Sequence, residues 1–204
     1  MFIQDYERSV QKMKLALESF DFSQKEIYSA FLAQTYYYVS HSTKLLAFAA
    51  GLMKPEDQSL FKRFIKHISE ESSHERLAEK DLESLDQKID FFEHLPSTRM
   101  LWETQYYKIQ HEDPASFLGY ILILEAFASY CFPDFLIKID KNYSGASRFV
   151  KLHAEEDPDH IEKAFDTIEM LTNERKELVR INMVQTAEAY ITMLKSCHEV
   201  KAQL

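Results

Sequence analysis

The longest apolar run of this chain, Leu118 to Phe132, carries an acid at its centre, within Tyr120-Ile-Leu-Ile-Leu-Glu125-Ala-Phe-Ala. Four aliphatic residues before Glu125 and Ala-Phe-Ala after it point the carboxylate inward. A buried carboxylate without compensation is destabilising by several kcal/mol, so it calls for a metal, a proton or a cation. The run is too short for a comfortable membrane span. It reads as a core helix.

The rest of the chain is helical by the same logic. With 3 Gly and 5 Pro among 204 residues, turn formers fall well below the usual roughly 12 per cent, and long helices follow. The expected fold is an all-α bundle of six to seven helices in one domain, residues 1–204. A first amphipathic helix covers 3–20. Ser23-Gln-Lys-Glu26 has the capping-box pattern and opens a helix running to about Met53. Pro55 suits the first turn of the next, which extends to about Leu85. Residues 86–96 connect irregularly to a helix from Pro96 to about Gln110. Pro114 opens the apolar helix 114–140, with Pro133 near its end. Ser144-Gly145 precedes another helix, and Thr172-Asn173 caps the last, reaching about Val200.

Charge and cysteines narrow the class. The net charge of −9 with no basic run argues against nucleic acid as a partner. The N-terminus lacks a basic segment followed by an apolar one, so no secretory signal is expected. Cys131 and Cys197 form no disulfide framework and no CxxC pair, which fits a reducing cytoplasm.

Three segments carry metal-ligating side chains. The first is His67-Ile-Ser-Glu-Glu71-Ser-Ser-His74, with Glu71 and His74 at the i, i+3 spacing of dimetal carboxylate bundles. The second is Glu125. The third is His153-Ala-Glu-Glu-Asp157-Pro-Asp-His160, which sets two imidazoles and a carboxylate at i, i+4 and i+7, on one helical face. Pro158 follows Asp157 directly, and a residue before proline is biased away from α, so a kink or a restart is expected there. Each piece alone has an ordinary reading. Glu70, Glu71, Glu75 and Glu79 read as a solvated acidic face, Glu125 as a core acid paired with lysine or tyrosine, and 153–160 as an exposed helix start. One metal site accounts for all of them. Three carboxylates and three imidazoles suit iron or manganese. Glu125 bridging two divalent ions leaves a formal charge of +1, which favours an anionic, carboxylate-bearing substrate.

The pattern Glu71-x-x-His74, Glu125, His153-x-x-x-Asp157-x-x-His160 resembles the heme-oxygenase-like diiron oxidases and oxygenases. The stretch from Tyr37-Tyr38-Val39-Ser40-His41 through Ala50 and the His67–Leu77 segment are similar to that family as well. The resemblance covers roughly residues 23–165. It implies a seven-helix heme-oxygenase-like bundle and two non-heme irons, with no heme, that activate dioxygen. Among relatives the reactions are oxidative decarboxylation of fatty acids to terminal alkenes, nitrogen oxygenation and fragmentation of amino acids. Carried over, the ligands are Glu71, His74, Glu125, His153, Asp157 and His160. Glu71 and His74 hold one ion with Glu125, and His153, Asp157 and His160 hold the other. Some relatives place a carboxylate seven residues before the histidine matching His74. His67 stands there in this chain, as an alternative ligand, a residue orienting a ligand or a surface group. Pocket walls are expected from Tyr37 and His41 and from Tyr120 to Phe127, and a homodimer is the expected assembly. The competing readings are a TenA-type thiaminase using Cys131 as nucleophile, a ferritin-like diiron bundle, and a non-catalytic interaction protein of the same fold.

Overall fold

The computed structural model describes residues 1–200, apart from the side chains of 156–159. Among the described residues there are nine α-helices and no strand: α1 (Phe2–Glu18), α2 (Lys25–Val39), α3 (Ser42–Gly51), α4 (Gln58–Glu70), α5 (Glu75–Glu83), α6 (Pro96–His111), α7 (Phe117–Asn142), α8 (Arg148–Glu169) and α9 (Asn173–Ser196). Short 3₁₀ turns at Pro55–Asp57, Ile89–Phe91 and Pro114–Ser116 lead into or lie between them, and prolines at the first position open two of the three.

The helix count exceeds the sequence expectation because two long helices are each broken once. Residues 26–53 divide at Ser40-His41. There the Ser40 hydroxyl donates to the Tyr36 carbonyl at 2.6 Å, and the His41 amide reaches back only three residues, to Tyr38. Residues 56–85 divide at Glu71–His74, where Ser73 adopts a left-handed backbone with φ of 71°. Neither break contains Gly or Pro, so hydrophobic periodicity runs through both. The capping box at Ser23 does not form. Gln24 occupies the N-cap position of α2 without a side-chain bond, and the Ser23 hydroxyl donates to Asp21 instead. At the last helix Thr172 caps as expected, accepting from the Arg175 amide.

Helix α7 runs through the core and packs most extensively on α8, then on α9. The span Pro114–Asn142 is long and apolar enough to cross a membrane, yet 83% of its most apolar window is buried within the bundle. A core helix passes the same test for its own reason: it is surrounded by protein. Gly119 permits the close approach to α9, since a Cβ there would lie 2.2 Å from the Val179 carbonyl oxygen. Asn182 of α9 then donates to the Ser116 carbonyl and to Gln105 of α6, closing a buried polar network over that contact. These contacts fix the axial position of α7, and with it the height of Glu125.

Helix α8 is held from its N-terminus. Asp81 of α5 is fully buried and accepts from the backbone amides of Arg148 and Phe149 at 3.0 and 2.9 Å, and from the Arg148 guanidinium at 3.0 Å. These are the orphan donors of the first helical turn, supplied with a carboxylate from another element. One helix runs from Arg148 to Glu169, so His153 and His160 belong to a single element rather than to two helices meeting at Pro158.

Candidate metal centre

Four stretches of chain converge on one region: the end of α4 with His67, the turn after it with Glu71 and His74, the middle of α7 with Glu125, and α8 with His153 and His160. The side chains fall into two groups, within each of which the donor atoms lie within 4.8 Å of one another. His67, Glu125 and His160 form the buried group. Glu125 Oε1 lies 3.3 Å from His67 Nε2 and 3.4 Å from His160 Nδ1, and the two imidazole rings are 5.3 Å apart. Glu71, His74 and His153 form the half-buried group, with His74 Nδ1 3.4 Å from Glu71 Oε2 and the two rings 5.1 Å apart. Glu71 joins them, because its other oxygen lies 3.3 Å from His67 Nε2.

This grouping differs from the expected one. His153 lies with Glu71 and His74 rather than with His160, and His67 joins Glu125 and His160. Glu71, not Glu125, has one oxygen on each group. The reason is helical geometry: His153 and His160 are two turns apart on α8, so they face ligands at different heights. Asp157 lies outside the described residues. The sequence pointed to His67 only through its position, seven residues before His74.

Glu71 and His74 do not share a regular helix as their i, i+3 spacing suggests. Glu71 ends α4 and His74 precedes α5, with the left-handed Ser73 between them. A non-glycine residue in that conformation is strained, by about 1–2 kcal/mol. The turn nonetheless brings His74 back towards Glu71. His153 is oriented by its own helix. Its Nδ1 lies 2.9 Å from the Phe149 carbonyl oxygen, so Nδ1–H donates there and Nε2 keeps the lone pair. The ring also packs on Phe149, at 4.1 Å between centroids.

The electrostatics suit a cation. Burial would raise the Glu71 carboxyl, but hydrogen bonds from His67 and His74 and the nearby His153 outweigh it and hold the group well below the usual carboxylate range. The Glu125 carboxylate beside His160 raises that imidazole above its ordinary value, whereas burial lowers His153. Both Glu125 oxygens are buried; the two imidazoles approach Oε1, and Oε2 has no hydrogen-bond partner among the described residues. Buried polar atoms left without partners are rare and call for an explanation. Each group is a pair of imidazoles with one carboxylate, the donor set that holds ferrous iron with positions left open. The residues therefore fit a metal.

A cavity of about 600 Å³, counting its open mouth, leads to the two groups. His67, Glu71, Glu125 and His153 form its polar end. Its walls are apolar, from residues such as Leu46, Ile121, Leu124, Phe127 and Phe132, with Tyr38, Ser42, Tyr120 and Tyr190 among them. Among the described residues no lysine or arginine lines it. The wall expected of Tyr37 and His41 comes instead from Tyr38 and Ser42, one residue further along each helix and so about 100° round the axis. Tyr37 donates to the Phe92 carbonyl at 2.8 Å, and His41 stacks on Trp102 with ring centroids 3.7 Å apart. Cys131 lines a different cavity, with Glu18, Asp21 and Asp134. Burial pushes its thiol up to about 12, which makes it a poor nucleophile at neutral pH.

The model of a protein family described as iron-containing redox enzyme matches residues 29–193. A search of curated proteins gave no match. Among solved structures, a domain of unknown function with a heme oxygenase-like fold from Shewanella denitrificans is similar at 21% identity and a TM-score of 0.84, over 97% of this chain and 92% of that one. A TenA homolog from Pseudomonas syringae pv. tomato is 10% identical with a TM-score of 0.77, over 98% and 93% of the two chains. A TenA homologue from Pyrococcus furiosus is 14% identical with a TM-score of 0.75, over 97% and 100%. These likenesses show a heme-oxygenase-like fold.

Proposed function

The chain belongs to the iron-containing redox enzyme family, and on that premise we propose that it is a non-heme diiron oxidoreductase acting with dioxygen on a small carboxylate-bearing substrate. The observation that carries this reading is the pair of two-imidazole, one-carboxylate groups joined through Glu71 at the end of an apolar cavity. His67, Glu125 and His160 would hold one iron and Glu71, His74 and His153 the other. Asp157 is a further proposed ligand from the sequence pattern. Bound ferrous iron would supply the electrons that dioxygen takes up.

The remaining work belongs to the chain. The apolar walls exclude bulk water and raise the worth of every charge at the polar end. Because no lysine or arginine among the described residues lines the cavity, an anionic head group finds its counter-charge at the metal end. This favours a substrate with one carboxylate and an apolar body over a zwitterion, a dicarboxylate or a phosphate ester. Fixing the tautomer of His153 through Phe149 keeps one ligand lone pair oriented before the ion arrives. Oxidative decarboxylation is the reaction among those of the relatives that such a cavity fits best.

Anaerobic reconstitution with Fe(II), an iron count, and then exposure to oxygen test the proposal. Two irons per chain, oxygen uptake and a transient visible absorption are expected. Failure to retain stoichiometric iron would sink it.

A further inference from the structure

Helices α2 and α3 part at Ser40-His41, with neither glycine nor proline to require it. The side chains around this break divide between two faces. Tyr38, Val39, Ser42 and Leu46 line the apolar cavity. Tyr37 and His41 enter a chain of stacked rings with His94, from the connection before α6, and Trp102 of α6. The Tyr37 and His94 rings lie 4.4 Å apart and 8° from parallel, and the His41 and Trp102 rings 3.7 Å apart and 6° from parallel. Trp102 Nε1–H donates to His94 Nε2 at 3.2 Å, which joins the two stacks. The Tyr37 hydroxyl is fixed on the Phe92 carbonyl, and His41 Nδ1 lies 3.4 Å from the Tyr106 hydroxyl. The rings therefore grip the chain on both sides of Ser40 and tie it to α6. The sequence offers one continuous helix as the alternative, because its apolar periodicity runs through the break. The Ser40 hydroxyl bond to the Tyr36 carbonyl can bend a helix but does not end one.

We propose that Trp102 is a positioning residue for the substrate: by pinning Tyr37 and His41 against α6 it keeps α2 and α3 as two helices, and so sets the cavity wall made by Tyr38, Val39, Ser42 and Leu46. This rests on the reading of the cavity as the substrate site. Without the pin, the two helices relax towards one. Ser42 and Leu46 then shift relative to Tyr38 and Val39, and the wall no longer matches the apolar body of the ligand. The residues assigned to the ions stand on α4, the turn after it, α7 and α8, outside the pin, so ion binding is spared.

Two measurements test this. Hydrogen exchange of the metal-free protein, read by mass spectrometry, is expected to quicken about tenfold over residues 38–46 in Trp102→Ala and to stay unchanged in α7. His41→Ala should act in the same way, and the double variant no more strongly than either single one. Decanoate, an apolar-bodied carboxylate, is then titrated calorimetrically into the oxygen-free, Mn(II)-loaded protein. Trp102→Phe, which keeps a ring but loses the N–H, should bind it about threefold to tenfold more weakly, the worth of one aromatic contact, with the Mn(II) count of the wild type. Should Trp102→Ala fold poorly, Trp102→Phe carries the exchange measurement as well. Exchange that is unchanged over 38–46, or that quickens equally in α7, overturns the proposal. So does unaltered decanoate affinity in Trp102→Phe. Wild-type protein that takes up Mn(II) without binding decanoate overturns the carboxylate-substrate reading instead, and the exchange comparison still decides the pin.

Discussion

His67, Glu125 and His160 sit on helices α4, α7 and α8 and are buried, whereas Glu71 and His74 flank a turn with a left-handed serine and their group is half-buried. The first group inherits its geometry from helix packing. Gly119 sets α7 against α9, and Asp81 sets the start of α8, so its ligands are placed by contacts far from them. The second group depends on a local distortion that the backbone would not adopt unprompted. The difference teaches that a matched pair of donor sets can have unlike rigidity, and unlike responses to damage.

Glu71 has one oxygen on each group, so its loss should erase the distinction altogether. Glu71→Ala is expected to weaken both ions by about a hundredfold or more, read as an iron count near zero after anaerobic reconstitution. Glu125→Ala should remove one ion and leave the other, so equal losses from these two variants would break the comparison. Asp81→Ala comes next. It strips the N-terminal amides of α8 of their acceptor and should lower stability by about 2–4 kcal/mol in chemical denaturation, with iron lost from both groups since α8 serves both.

Acidification should separate the groups more gently. Imidazoles ligate when neutral, and protons compete with metal. His160 is raised by Glu125 and His153 is lowered by burial, so as pH falls His160 protonates first and its ion should leave at the higher pH. In metal-free protein the same raised value means that the His160–Glu125 contact adds stability below the ordinary histidine range. That stability fades as pH climbs through the raised value. Iron retention and unfolding temperature measured between pH 5 and 8 follow both effects, and simultaneous release of the two ions would count against the assignment. The smallest effect belongs to Ser73→Gly. Relief of the left-handed strain, partly offset by the greater freedom of glycine in the unfolded chain, should stabilise by about 0.5 kcal/mol, with the iron count unchanged. A loss of stability there would mean that the serine side chain, not the backbone, shapes the turn.

Much of the fold was legible because its signals are local. Pro55, Pro96, Pro114 and Thr172 mark helix starts in the sequence and mark them in the structure. Glu125 announced itself by being the wrong residue for its neighbourhood. The breaks at Ser40-His41 and Glu71–His74 were not legible, since neither carries a glycine or proline to mark it. Reading Tyr37 and His41 as cavity walls in place of Tyr38 and Ser42 reflects another limit. Periodicity finds a face to within about a residue, and one residue is 100° of rotation.

Taken alone, the chain determined that the fold is all-α, that an acid lies in its core, and which side chains can ligate a metal. Residue chemistry and helical spacing are short-range properties written directly in the order of amino acids. Only the tertiary structure decided that His67 stands with Glu125 and His160, and that Glu71 rather than Glu125 reaches both groups. Those relations join residues dozens of positions apart, and they are set by how α4, α7 and α8 pack, which no local pattern encodes.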